Sequence, residues 1–124
     1  MEKNKLLEFT VKIFFKHQLQ LKMFHFQTKT YGAHKASDAY LDKFADNLDR
    51  YIEVAQGAFG RLNMKELDIK FTIVNDDTIS TELDKFISTL KEYDEFLIKH
   101  SELLNIRDEI VADAEQLKYL LTFK

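Results

Sequence analysis

The segment from His25 to Glu53 reads HFQTKTYGAHKASDAYLDKFADNLDRYIE. It opens at the end of one helical pattern, crosses a short turn at 28–33 (TKTYGA) and enters a second helical pattern at His34. Gly32 in the turn suits a tight hairpin between two antiparallel helices. The same stretch carries two imidazoles and three carboxylates: His25, His34, Asp38, Asp49 and Glu53. Imidazole and carboxylate are the usual protein ligands of iron, manganese and zinc. One segment therefore bears on both the fold and the chemistry.

Upstream, Lys3 to Gln27 is helical by pattern. Leu7, Val11, Phe14, Leu21 and His25 follow three-four spacing, Leu6, Phe9, Ile13 and Phe24 form a second side, and Phe15, Leu19 and Phe26 a third. A helix apolar over most of its circumference is covered on more than one side, and in a small domain the second side is expected to meet another subunit. Downstream, Leu41, Phe44, Leu48, Ile52, Ala55, Phe59 and Leu62 give the second helix, about His34 to Leu62, one core stripe. Lys35, Lys43, Asn47 and Arg50 are expected in solvent.

Residues 63–79 (NMKELDIKFTIVNDDTI) change character, with β-branched residues and a brief alternation at Ile69, Phe71 and Ile73. A strand there has no evident partner. Extended at about 3.3 Å per residue, the segment reaches on the order of 50 Å, against roughly 40 Å for the preceding helix at 1.5 Å per residue. The connection is long enough to travel the bundle and start the next helix parallel to the second. That helix is expected from Ser80 or Thr81, good N-cap residues, with Leu83, Phe86, Ile87, Leu90, Tyr93 and Leu97 inward. Asn105 is the expected N-cap of a last helix carrying Ile110, Ala114, Leu117 and Leu121. Hairpin, long crossover, hairpin is the ferritin-like four-helix connectivity, so residues 1–124 are expected to form one all-α domain.

Composition agrees. Three glycines and no proline leave few helix breaks, and eleven phenylalanines give more large apolar surface than a small monomer needs. No cysteine means no disulfide framework and no thiol chemistry. The opening MEKNKLLEF lacks the apolar run of a signal peptide, and no window reaches the length of a membrane span. A soluble cytoplasmic protein without membrane partners is expected. The net charge of −3, with both signs interspersed, argues weakly against DNA as a partner.

Helical arithmetic constrains the five candidate ligands. At about 100° per residue, His34, Asp38, Asp49 and Glu53 fall at roughly 0°, 40°, 60° and 100°, on one face beside the core stripe. His34 and Asp38 are one turn apart, as are Asp49 and Glu53. The two pairs are separated by roughly 22 Å along the axis, whereas first-row metals sit about 2.0–2.2 Å from their ligands. One chain cannot bring both pairs to one ion. Antiparallel packing of the second helix on its twofold mate would bring His34 and Asp38 of one subunit to Asp49 and Glu53 of the other, making two identical sites in a C2 dimer. His25 returns to the His34 end through the turn.

The run LKMFHFQTKTYGAHKASDAYLDKFADNLDRYIEVAQG resembles the first helical hairpin of the Dps miniferritins, the DNA-binding proteins from starved cells. His25, His34, Asp38, Asp49 and Glu53 match the family's ligand positions, and DEIVADAEQLKYLLTF is similar to its last helix. The resemblance implies a ferroxidase: Fe(II) oxidised by peroxide or dioxygen at a dinuclear or mononuclear site in a dimer interface, with zinc or manganese as other metals for the same site. It further implies a homo-oligomeric shell, usually of twelve subunits, around stored ferric mineral. His25, His34 and Asp38 would come from one subunit, Asp49 and Glu53 from its partner. The chain departs from the family in its shorter His25–His34 interval, in Phe26 where Trp is frequent, and in its reduced third helix without a basic tail.

Other readings compete. A non-catalytic helical oligomer, with zinc or no metal, would keep the same fold, and a DNA-condensing protein is disfavoured by charge. His17 and His100 are read as structural or surface residues. Asp42, Asp46, Asp108, Glu109, Asp113 and Glu115 are read as solvated or helix-start charge.

Overall fold

The computed structural model describes residues 2–123, and among them every regular element is helical. The elements are α1 (Lys3–Gln27), α2 (Tyr31–Phe59), α3 (Ile79–Lys91), the single turn α4 (Asp94–Leu97) and α5 (Ser101–Leu120). No helix among these residues is long and apolar enough to cross a membrane.

Packing partners follow from the side-chain contacts. Lys43 donates to Gln116 and Asn47 to Asp113, so α2 and α5 run antiparallel. Lys118 pairs with Asp84 while Arg107 reaches the Leu90 carbonyl, which sets α3 antiparallel to α5. His17 stacks on Phe86 and Phe9 meets Tyr93 edge-on, which sets α1 antiparallel to α3. Phe14 joins three elements, its ring lying 5.7 Å from Phe44, 5.2 Å from Tyr51 and 6.4 Å from Phe86. Each such edge-to-face pair adds about 0.5–1.5 kcal/mol beyond area burial. Around Phe14 the core is built from Leu7, Val11, Leu21, Leu41, Leu83, Leu103, Ile110 and Leu117.

The crossover covers the length of α2. α2 ends at Gly60, whose φ of 107° lies in the left-handed region and whose N–H bonds the Gln56 carbonyl at 2.9 Å. The Gln56 side chain then accepts from the Leu62 N–H and turns the chain back. At the other end Asp76 accepts from the Thr28 hydroxyl and the Lys29 N–H, fastening the crossover to the α1–α2 turn. α3 therefore starts where α2 starts and runs parallel to it, as the length argument predicts. Between these ends Val74 is buried, and no strand forms among the described residues.

Several boundaries differ from expectation. The hairpin turn is only Thr28–Thr30, because the Thr30 hydroxyl accepts from the Ala33 N–H and starts α2 at Tyr31. Gly32 lies inside the first helical turn, and the one described glycine with positive φ is Gly60, which also ends α2 before Leu62. Asn75, rather than Ser80 or Thr81, organises the start of α3: its side-chain oxygen accepts from the N–H groups of Asp77 and Thr78. The third helix is broken after Lys91. The Leu90 carbonyl, which an unbroken helix would offer to the Asp94 N–H, accepts from the buried Arg107 at 3.3 Å. Arg107 also holds Asp94 and Asp108; burial disfavours its charge, but the bonds to these two carboxylates outweigh burial and raise its pKa. α5 begins at Ser101, so Asn105 is interior and not a cap.

Candidate functional site

The three-residue turn brings the end of α1 against the first turns of α2, and His25 and His34 meet there. Their rings stack with centroids 3.9 Å apart and planes 19° apart. The His25 Nδ1 lies 2.9 Å from the His34 carbonyl oxygen, and the His34 Nδ1 lies 2.9 Å from the His25 carbonyl oxygen. A carbonyl can only accept, so both Nδ1 atoms carry hydrogen and donate. In its neutral form each ring then holds its lone pair on Nε2, the nitrogen left free to act as a ligand.

His25 is only 6% exposed. Its Nε2 makes no hydrogen bond, yet among the described residues no fully covered side-chain nitrogen or oxygen lacks a partner. The Nε2 therefore reaches the surface from a buried ring. Ser37 supports this arrangement. It is fully buried, donates to the His34 carbonyl at 3.1 Å, and places its Oγ 3.1 Å from the His25 Nδ1. Its role escaped the sequence reading, although its position three residues after His34 puts it on the same helix face.

Two exposed aromatics flank the pair. Phe26, 65% exposed, lies beside His25, and Tyr31, 75% exposed, lies over His34. Lys22 and Lys35 lean over these rings at 5.2 Å and 6.0 Å from the centroids.

The carboxylates do not join the imidazoles within the chain. Asp38, Asp49 and Glu53 are exposed on α2, and Asp49 begins fifteen positions beyond His34, roughly 22 Å along the axis. No group of three or more His, Asp or Glu side chains that could hold a metal ion forms among the described residues. The stacked rings add a constraint. A metal ion lies near the plane of the imidazole that binds it, about 2.0–2.1 Å from the nitrogen. Two planes stacked 3.9 Å apart and inclined by 19° do not meet within that distance. As they stand, the imidazoles offer two single-nitrogen positions, not one chelate.

The other two histidines lie outside this pair. His17 is buried between Phe86, with ring centroids 3.6 Å apart, and the edge of Phe44, and its Nε2 lies 2.7 Å from the Tyr40 hydroxyl. Burial lowers its pKa to about 3. Burial also raises the Tyr40 phenol, with the Asp113 carboxylate adding to the shift. Asp113 is half-buried, not merely surface charge, because it accepts from Asn47 across the α2–α5 contact. His100 packs edge-on against Phe59 and pairs with Glu102 at 3.4 Å.

The chain is thus an all-helical domain with a stacked imidazole pair at its α1–α2 turn. The chain belongs to a family of unknown function (DUF5856), which it matches over residues 25–121. That range takes in all five candidate ligands and leaves out α1 up to Phe24. No curated protein and no solved structure matches the chain.

Proposed function

We propose that the chain is a Dps-like miniferritin: a ferritin-like four-helix bundle, with α3 and α4 together forming its third helix, that oxidises and stores iron. The observation that carries this reading is the reciprocal lock of His25 and His34, which fixes both tautomers and leaves two Nε2 lone pairs open at the surface. The crossover that returns from Gly60 to Thr28 supports the ferritin-like connectivity.

In this reading Fe(II) is the substrate, bound where α2 meets α2 of a twofold mate. His25, His34 and Asp38 come from one subunit, and Asp49 and Glu53 from the other. The carboxylates neutralise the ion's charge and favour the ferric product, while each imidazole serves its own ion, so the interface site is dinuclear. Each Fe(II) gives up one electron, and peroxide or dioxygen takes them up. Phe26 and Tyr31 would be covered as the dimer forms, and assembly would continue to a closed shell.

The test is light scattering on the eluting protein, followed by Fe(II) oxidation by wild type and Asp49→Ala. The reading expects an oligomer that oxidises Fe(II) well above buffer, with the variant oligomeric and at least tenfold slower. A monomer, or an oligomer that leaves Fe(II) oxidation at the buffer rate, overturns it. In the second case a non-catalytic helical oligomer becomes the better description.

A further inference from the structure

A second feature lies away from the histidine pair, on the face between α1 and α3. The two helices leave an open groove of about 660 Å³, floored by Phe9, Ile13 and Phe86. From Phe9 to Gln20 it follows α1 for roughly 16 Å at 1.5 Å per residue. Its two ends differ. Around the apolar floor, the Phe9 end is rimmed by Lys12, Thr89 and Glu92, whereas Lys16, His17 and Gln20 gather at the other end opposite Thr81 and Glu82.

His17 makes this end a built site. The Tyr40 hydroxyl has no other hydrogen-bond partner, and its proton is bonded within the protein only when it donates to the His17 Nε2. The neutral imidazole then carries its own hydrogen on Nδ1. That Nδ1 makes no hydrogen bond, and no fully covered side-chain nitrogen among the described residues lacks one. The N–H of a ring only 3% exposed is therefore presented to the groove. Gln20, also buried, makes a single long bond of 3.5 Å to the Thr72 carbonyl and keeps its side-chain oxygen unbonded.

Charge on the rim is unbalanced at this end. Lys85 is paired with Glu82 and Asp84 with Lys118. Lys12 and Lys16, both on the α1 rim, make no ion pair among the described residues. An apolar floor of Phe9, Ile13 and Phe86 that ends at an N–H donor and an unpaired ammonium is complementary to an acyl chain ending in a carboxylate.

We propose that the α1–α3 groove binds a medium-chain fatty carboxylate, its headgroup held by Lys16 and the His17 Nδ1–H and its chain laid along Ile13 and Phe9. The test is calorimetric titration of the wild-type protein with dodecanoate below its micelle concentration, beside dodecanol and two variants. Lys16→Glu places like charge at the headgroup, and Ile13→Glu places charge under the chain. Both positions are at least partly solvent-facing, and circular dichroism checks that both variants fold. The expected result is saturable micromolar binding at one site per chain, weakened at least tenfold in each variant and at least tenfold for dodecanol. Binding should also shift the His17 imidazole N–H resonance. No binding to wild type overturns the proposal, including the case in which another copy of the chain fills the groove. So does binding that both variants retain, or that leaves the His17 resonance unmoved.

Discussion

The double substitution His17→Phe/Tyr40→Phe should make the protein more resistant to acid. His17 is buried and neutral, with a pKa lowered from 6.5 to about 3 by desolvation. The unfolded chain binds a proton on this residue below about pH 6.5, and the folded chain does not until about pH 3. Between these values the unfolded state holds more protons, so stability falls as pH falls, by about 1.4 kcal/mol per unit. At pH 5 the loss from this one residue is about 2 kcal/mol. The double variant removes both hydrogen-bonding partners and fills the space with rings of similar shape, an exchange that is nearly neutral. Phenylalanine at 17 can keep the stack on Phe86. The assay is urea unfolding of both proteins at one fixed chain concentration, at pH 7.5, 6.5, 5.5 and 5. Titrations shared by the two proteins cancel in their difference. That difference should lie within about 1 kcal/mol at pH 7.5 and move by about 2 kcal/mol in the variant's favour at pH 5. A difference that stays constant with pH would refute the reasoning.

Three further outcomes follow from the packing. Phe14→Ala, which empties the junction of α1, α2 and α3, should cost about 3–5 kcal/mol in chemical denaturation. Asp76→Ala should lower the melting temperature at neutral pH by releasing the crossover from Thr28 and Lys29. The Asp76 carboxyl is held below the usual carboxylate range, by the Thr28 hydroxyl first and the Lys29 N–H second, so its stabilisation is present above that range and disappears as pH falls through the lowered value. Wild type and variant should therefore converge in acid. On the proposed metal-site reading, Ser37→Ala should leave the helix content unchanged but weaken Co(II) binding, seen in its visible spectrum, about 10-fold or more, because His25 and His34 lose a shared support.

The helices were legible because their apolar positions repeat at helical spacing and almost nothing interrupts them. Leu7, Val11, Phe14 and Leu21, then Leu41, Phe44 and Leu48, are buried as their pattern requires. The direction of the crossover was legible from length alone. What the pattern could not reveal were the devices that end helices through distant partners. Arg107 breaks the third helix from α5, and a residue seventeen positions away leaves no mark on local periodicity. Asp76 clasps a turn 48 positions earlier. Gly32 was a reasonable turn residue, but the capping hydroxyl of Thr30 decided the boundary first. Within the candidate site, the separation of His34 and Asp38 from Asp49 and Glu53 could be derived from helical rise. The stacking of His25 on His34 could not, because it depends on the turn closing in three residues.

The intersubunit reading is tested most directly by complementation. Neither His34→Ala nor Asp49→Ala alone should oxidise Fe(II) efficiently. When the two variants are co-expressed, half of the dimers are mixed, and each mixed dimer joins one intact imidazole half to one intact carboxylate half. Random mixing should then restore about a quarter of the wild-type oxidation rate per chain. A mixture no more active than its two inactive parents would contradict a site shared between subunits.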